Sequence, residues 1–109
     1  MGDGWIGVDL DGTLAFYDEW RGWQHIGPPI PAMVARVLQW LNEGMTVKIV
    51  TARASAQTKT GRPVAQAVAA IEAWCVCHLG QRLEVTCEKD FGMIELWDDR
   101  AIQVETNTG

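Results

Sequence analysis

The stretch Ile6-Gly7-Val8-Asp9-Leu10-Asp11-Gly12-Thr13-Leu14 decides the fold of this chain. From Trp5 to Asp9 it shows no polar alternation, as expected of a first strand buried on both faces. It then breaks into two carboxylates around one leucine, followed by a glycine and a threonine. Aspartate is a poor strand residue. Two of them where the strand stops put acids at its carboxyl end, and open α/β sheets hold their ligands in the crevice beyond such ends. Asp-Gly is also a common turn dipeptide, so the pair needs partners downstream to be more than a solvated turn.

Outward from this stretch the chain alternates between two periodicities. Residues 15–30 form an expected flap and connector, rich in aromatic and charged side chains (Phe16, Tyr17, Asp18, Glu19, Trp20, Arg21, Trp23, His25) and closing on the rigid Gly27-Pro28-Pro29-Ile30-Pro31. Pro31 suits the first turn of a helix. Val34, Val37, Leu38 and Leu41 follow at i, i+3, i+4 and i+7 as its expected buried stripe, and Glu43-Gly44 ends it. Thr46–Thr51 is β-branched almost throughout and predicts a second strand. A polar loop, residues 52–62, leads to a second helix from Pro63 to about His78, with Val64, Val68, Ile71 and Cys75 on one face and Leu79-Gly80 as its cap. Leu83–Cys87 and Met93–Trp97 predict two more strands, the last ending in Asp98-Asp99. Strand, helix, strand, helix, strand, strand predicts an α/β fold with a mainly parallel sheet and helices on its faces. Residues 1–109 read as a single domain with a frayed tail at 106–109.

Composition narrows the function classes. A hydrophobic fraction of 48% with 21% charged residues suits a globular chain with one real core. The net charge of −5 argues against a sequence-independent grip on nucleic acid. It leaves room for a phosphorylated ligand, because one bound cation reverses the field in a cleft. No apolar run approaches the roughly 18 residues that span a bilayer. No secretory signal is visible in Met1-Gly2-Asp3-Gly4, so the expected compartment is the cytoplasm, with no membrane partner. Cys75, Cys77 and Cys87 are then expected as reduced, inert thiols, since no second cluster completes a zinc site beside His78.

In a parallel sheet, strand ends distant in sequence meet on one rim. Here that rim collects Asp9 and Asp11, Thr51, and Asp98 and Asp99, with Lys89 in the loop before the last strand. Crowded carboxylates repel unless a cation sits among them, and an all-oxygen set suits Mg²⁺. A metal, a lysine, a hydroxyl and loop N–H groups around Gly12 would cradle a phosphoryl group, and a carboxylate beside the phosphorus can serve as its nucleophile.

These residues resemble the motifs of the haloacid dehalogenase-like superfamily of phosphohydrolases. The first motif, DxDGT, matches Asp9-Leu10-Asp11-Gly12-Thr13; the second matches Thr51, the third Lys89, and the fourth Asp98-Asp99. The resemblance spans roughly Ile6 to Ile102. It implies a Rossmann-like three-layer sandwich of strand order 4-1-2-3, without a cap domain because Lys89 and Asp98 are too close to enclose one. It further implies a Mg²⁺-dependent phosphatase in which Asp9 is the nucleophile and Asp11 the general acid/base. Thr51 would hold a phosphoryl oxygen, and Lys89 would neutralise the charge shared by Asp9 and phosphate. Mg²⁺ would be held by the Asp9 side chain, the Asp11 backbone carbonyl and Asp98, with Asp99 as a further or water-mediated ligand.

Gly12 and Thr13 are candidate substrate contacts in the phosphate loop, and Trp20 and Trp23 in the flap, with packing or a subunit contact as the alternative for the tryptophans. Arg53 reaches either toward flap or substrate or into an exposed salt bridge. Trp5, Trp40, Trp74 and Trp97 are expected to pack. The expected partner is a phosphorylated small molecule or macromolecule, and an open site is compatible with a homo-oligomer in which a neighbouring subunit serves as lid. Two rival functions remain: an idle domain that only binds a phosphorylated partner, and a phosphotransferase.

Overall fold

In the computed structural model, residues 4–56 and 63–109 are described; part of the polar loop expected at 52–62 lies outside them. The elements are β1 (Trp5–Asp9), α1 (Pro31–Asn42), β2 (Thr46–Val50), α2 (Val64–Leu79), β3 (Glu84–Thr86) and β4 (Met93–Trp97), with a 3-10 turn at Ala52–Ala54. Pro31 occupies the first turn of α1, and Gly44 (φ 84°) and Gly80 (φ 82°) take the left-handed conformation just past the two helices.

All pairings in the four-stranded sheet are parallel. The order is β3-β2-β1-β4, which from the other edge runs β4-β1-β2-β3. β1 is therefore an interior strand flanked by β2 and β4, which explains its unbroken apolar run. Ile6 and Val8 of β1 and Val47 and Ile49 of β2 share one core with Met33 and Val37 of α1 and Ile71, Trp74, Cys75 and Leu79 of α2. Strands β1, β2 and β3 step in one direction across the sheet, so right-handed crossovers put both helices on the same face.

A second helical layer, expected from a three-layer sandwich, is not seen among the described residues. The physical reason is the connector at 87–92, too short to form a helix on its way from β3 to the far edge of the sheet. It passes Trp5, whose indole Nε1 donates to Asp90 Oδ1 at 2.8 Å and whose backbone N–H donates to the Gly92 carbonyl at 2.8 Å. Elsewhere on that side, Ile94 and Leu96 of β4 stay exposed, and Lys48 Nζ lies 4.5 Å from the Trp5 ring centroid.

The four tryptophans expected to pack do so. Trp5 and Trp74 are buried, and Trp40 of α1 meets Trp97 of β4 at 5.3 Å between centroids. The stripe of α1 needs correction. Met33 and Val37 are its buried residues, Val34 and Leu41 are partly buried, and Leu38 is 42% exposed. The helix is rotated so that Met33, Val37 and Trp40 face the sheet, because Trp40 must reach Trp97. Truncating Met33 to alanine is expected to cost about 2–5 kcal/mol in urea denaturation, while Leu38→Ala costs under about 1 kcal/mol. Equal losses would contradict this rotation.

Candidate functional site

Alternation carries the strand ends into chemistry. Leu10 and Leu14 are fully buried beneath the loop, while Asp9 and Asp11 point the other way and line a cleft of about 540 Å³. The Leu10 carbonyl accepts from the N–H groups of Leu14 (3.0 Å) and Ala15 (2.9 Å), which winds the loop tightly around it. Gly12 has φ +88°, and a Cβ there would lie 2.5 Å from Asp99 Oδ2. Only glycine permits both this backbone and that close acid.

The neighbour of β1 supplies the second pair of acids. Val8 of β1 stands opposite Trp97 of β4, so Asp9 and Asp98 leave the sheet side by side. Asp9, Asp98 and Asp99 each offer an oxygen, all within 4.8 Å of one another. Thr13 Oγ1 sits between them, 3.4 Å from Asp9 Oδ2 and 3.3 Å from Asp99 Oδ1. Burial first, then a hydrogen bond with the Asp99 carboxyl and the charges of Asp98 and Asp99, pushes the Asp9 carboxyl up to about 7. Three hard oxygen donors this close together fit a hard divalent cation, which would supply the missing positive charge. Asp99, expected as the more distant ligand, is a full member of this trio. Among the described residues no cysteine or histidine joins a metal-sized cluster; all three cysteines are free, and burial pushes the Cys75 thiol up to about 11.

Asp11 has a different environment from Asp9. Arg53 grips it with a two-pronged bond, Nε to Oδ2 at 2.8 Å and Nη2 to Oδ1 at 2.9 Å. The same guanidinium donates to the carbonyls of Trp23 (Nη1, 3.2 Å) and His25 (Nη2, 3.0 Å), and its Cζ lies 4.9 Å from the Trp20 ring centroid. Arg53 is only 4% exposed, so the exposed salt bridge considered from sequence is corrected to a buried clamp that joins Asp11 to the flap. Thr51 is buried at the end of β2, and its hydroxyl accepts the Arg53 backbone N–H at 3.1 Å, leaving the hydroxyl proton to donate into the cleft.

The flap is anchored at its base. Phe16 N–H donates to the Pro28 carbonyl and Ile30 N–H to that of Leu14, both at 2.8 Å, while Trp74 Nε1 donates to the Gly27 carbonyl at 3.0 Å. Tyr17 and Trp20 line the cleft. Trp23 contributes its carbonyl to Arg53, and its side chain does not line the cleft. Lys89 does not line it either. Its exposed position on the 87–92 connector follows from the connector's course, since Cys87 borders the cleft but Asp90 is already tied to Trp5. Among the described residues, the cations at the cleft are Arg53 and Arg100, and the Arg100 backbone N–H donates to Asp98 Oδ1 at 2.7 Å.

Compared with protein-family models, curated proteins and solved structures, the chain matches none.

The raised Asp9 carboxyl has a sign. Without a cation, the folded chain holds this proton up to about pH 7 while the unfolded chain releases it near 3.8. The stability that this proton provides is complete below about pH 4 and is lost as pH rises to about 7. A divalent cation held among these acids would substitute for the proton. Millimolar Mg²⁺ is therefore expected to raise the thermal midpoint little at pH 5 and by several degrees at pH 8, measured by calorimetry. A gain that is larger at pH 5 would contradict the site.

Proposed function

We propose that this protein is a Mg²⁺-dependent phosphatase that hydrolyses a phosphate monoester through an aspartyl-phosphate on Asp9. The observation that carries the proposal is the clustering of Asp9, Asp98 and Asp99 in one cleft with Thr51 and Asp11. The ordered DxDGT, threonine and double-aspartate motifs, which resemble those of the haloacid dehalogenase-like superfamily, support it. So does a parallel α/β sheet with these motifs at its strand ends, as a Rossmann-like fold requires.

Asp9 carries the nucleophilic oxygen. It attacks phosphorus, the bond from phosphorus to the leaving oxygen breaks, and a proton from Asp11 goes to that oxygen. Water then attacks the acyl phosphate on phosphorus, giving its proton to Asp11, and the bond to Asp9 breaks to release inorganic phosphate. Asp9, the Asp11 backbone carbonyl and Asp98, with Asp99 adjoining, would hold Mg²⁺, which when bound would supply charge stabilisation for the phosphoryl oxygens. Thr51 donates its hydroxyl to one of those oxygens; the N–H groups of Gly12 and Thr13, first read as part of the phosphate cradle, are instead taken by the carbonyls of Ala15 (2.8 Å) and Leu10 (3.2 Å). Asp11 can exchange a proton with the leaving group only when Arg53 releases one of its oxygens. Arg53 and Arg100 take over the charge neutralisation first assigned to Lys89.

In a screen of phosphate monoesters with Mg²⁺, Asp9→Asn is expected to lose turnover by roughly a thousandfold or more, and Asp11→Asn by about 10²–10⁴-fold. Beryllium fluoride with Mg²⁺ should bind the wild type as a phosphoryl mimic. A fully active Asp9→Asn would exclude the mechanism.

A further inference from the structure

The cleft has two chemically different walls. One is polar and built from strand ends, with Asp9, Thr51, Asp98 and Asp99; the other is the flap, which presents Tyr17 and Trp20. A phosphoryl group and its cation occupy only the first. The cleft volume of about 540 Å³ is that of a site for a whole small molecule rather than a lone phosphate.

Trp20 is 50% exposed although it borders a cleft. The buried Arg53 guanidinium lies beneath its ring, with Cζ 4.9 Å from the centroid, and orients the half-exposed indole at the cleft. Arg53 also fixes the Trp23 and His25 carbonyls on either side of the flap turn and, through Asp11, ties the whole platform to the reacting end. The ring is thus an oriented aromatic surface at a constrained position relative to the acids. Every base or aryl ring has a π-face that such a surface can stack, without a need for base-specific hydrogen bonds.

From this geometry we infer that the substrate is a phosphate monoester carrying a planar aromatic ring, of the nucleoside monophosphate or aryl phosphate class, whose ring stacks on Trp20 while its phosphoryl group lies at Asp9. The inference rests on the phosphatase reading for the position of the phosphoryl group. It adds a ring-recognition role for Trp20 and a positioning role for Arg53.

The test separates this inference from the catalytic one. Calorimetric titration of Asp9→Asn with Mg²⁺ present uses adenosine 5′-monophosphate, phenyl phosphate and ribose 5-phosphate as probes. At least one ring-bearing probe is expected to bind about tenfold or more tightly than ribose 5-phosphate. That ratio should fall to about one in a variant that adds Trp20→Ala and persist in one that adds Trp20→Phe. Whichever ring-bearing probe binds more tightly identifies the source of the ring. Equal affinities, no binding of any probe, or a preference that survives Trp20→Ala overturns the inference. Selective binding without turnover by the wild type overturns the phosphatase and leaves the ring site standing.

Discussion

Three carboxylates at the ends of two adjacent parallel strands are the constraint on which the rest of this site depends. Asp9 and Asp98 leave the sheet in register, and Asp99 folds over Gly12 to join them. Burial first, and then the neighbouring Asp99 and Asp98 carboxyls, raise the Asp9 carboxyl to about 7. The sheet tolerates it because Ile6, Val8, Leu10 and Leu14 are deeply buried directly below, so the backbone that delivers the acids cannot relax away. The core therefore stores the electrostatic demand that a cation would meet.

The second constraint is Arg53. A buried guanidinium needs its donors satisfied, and here a carboxylate and two carbonyls provide the acceptors. One side chain thereby links Asp11, the flap backbone and the flap aromatic. Flap position and Asp11 geometry are consequently not independent: moving Arg53 alters both.

The short connector between β3 and β4 has two consequences. Among the described residues it leaves one sheet face without a helical layer, and it carries Lys89 away from the acids. Both arise from the same shortage of chain, since residues that must cross the sheet cannot also fold back into the cleft. Among the described residues, positive charge at the cleft comes instead from Arg53 and Arg100.

Local order was legible in the sequence because local order is decided by near neighbours. The apolar run of β1, the β-branched run of β2, Pro31 at the start of α1 and the glycines at 44 and 80 each act within a turn or a strand, and the elements lie close to where they read. The acid pairs were legible too, because a carboxylate at a strand end has few structural uses. Only the tertiary structure decided which acid meets which partner. Asp11 and Arg53 are separated by 42 positions, and nothing near either residue distinguishes a buried clamp from a surface ion pair. The rotation of α1, which buries Met33 and leaves Leu38 out, depends on Trp40 finding Trp97 across the sheet. Sequence determined the elements and the chemical groups at their ends; packing and strand register determined their partners, because those depend on side-chain directions that no local pattern encodes.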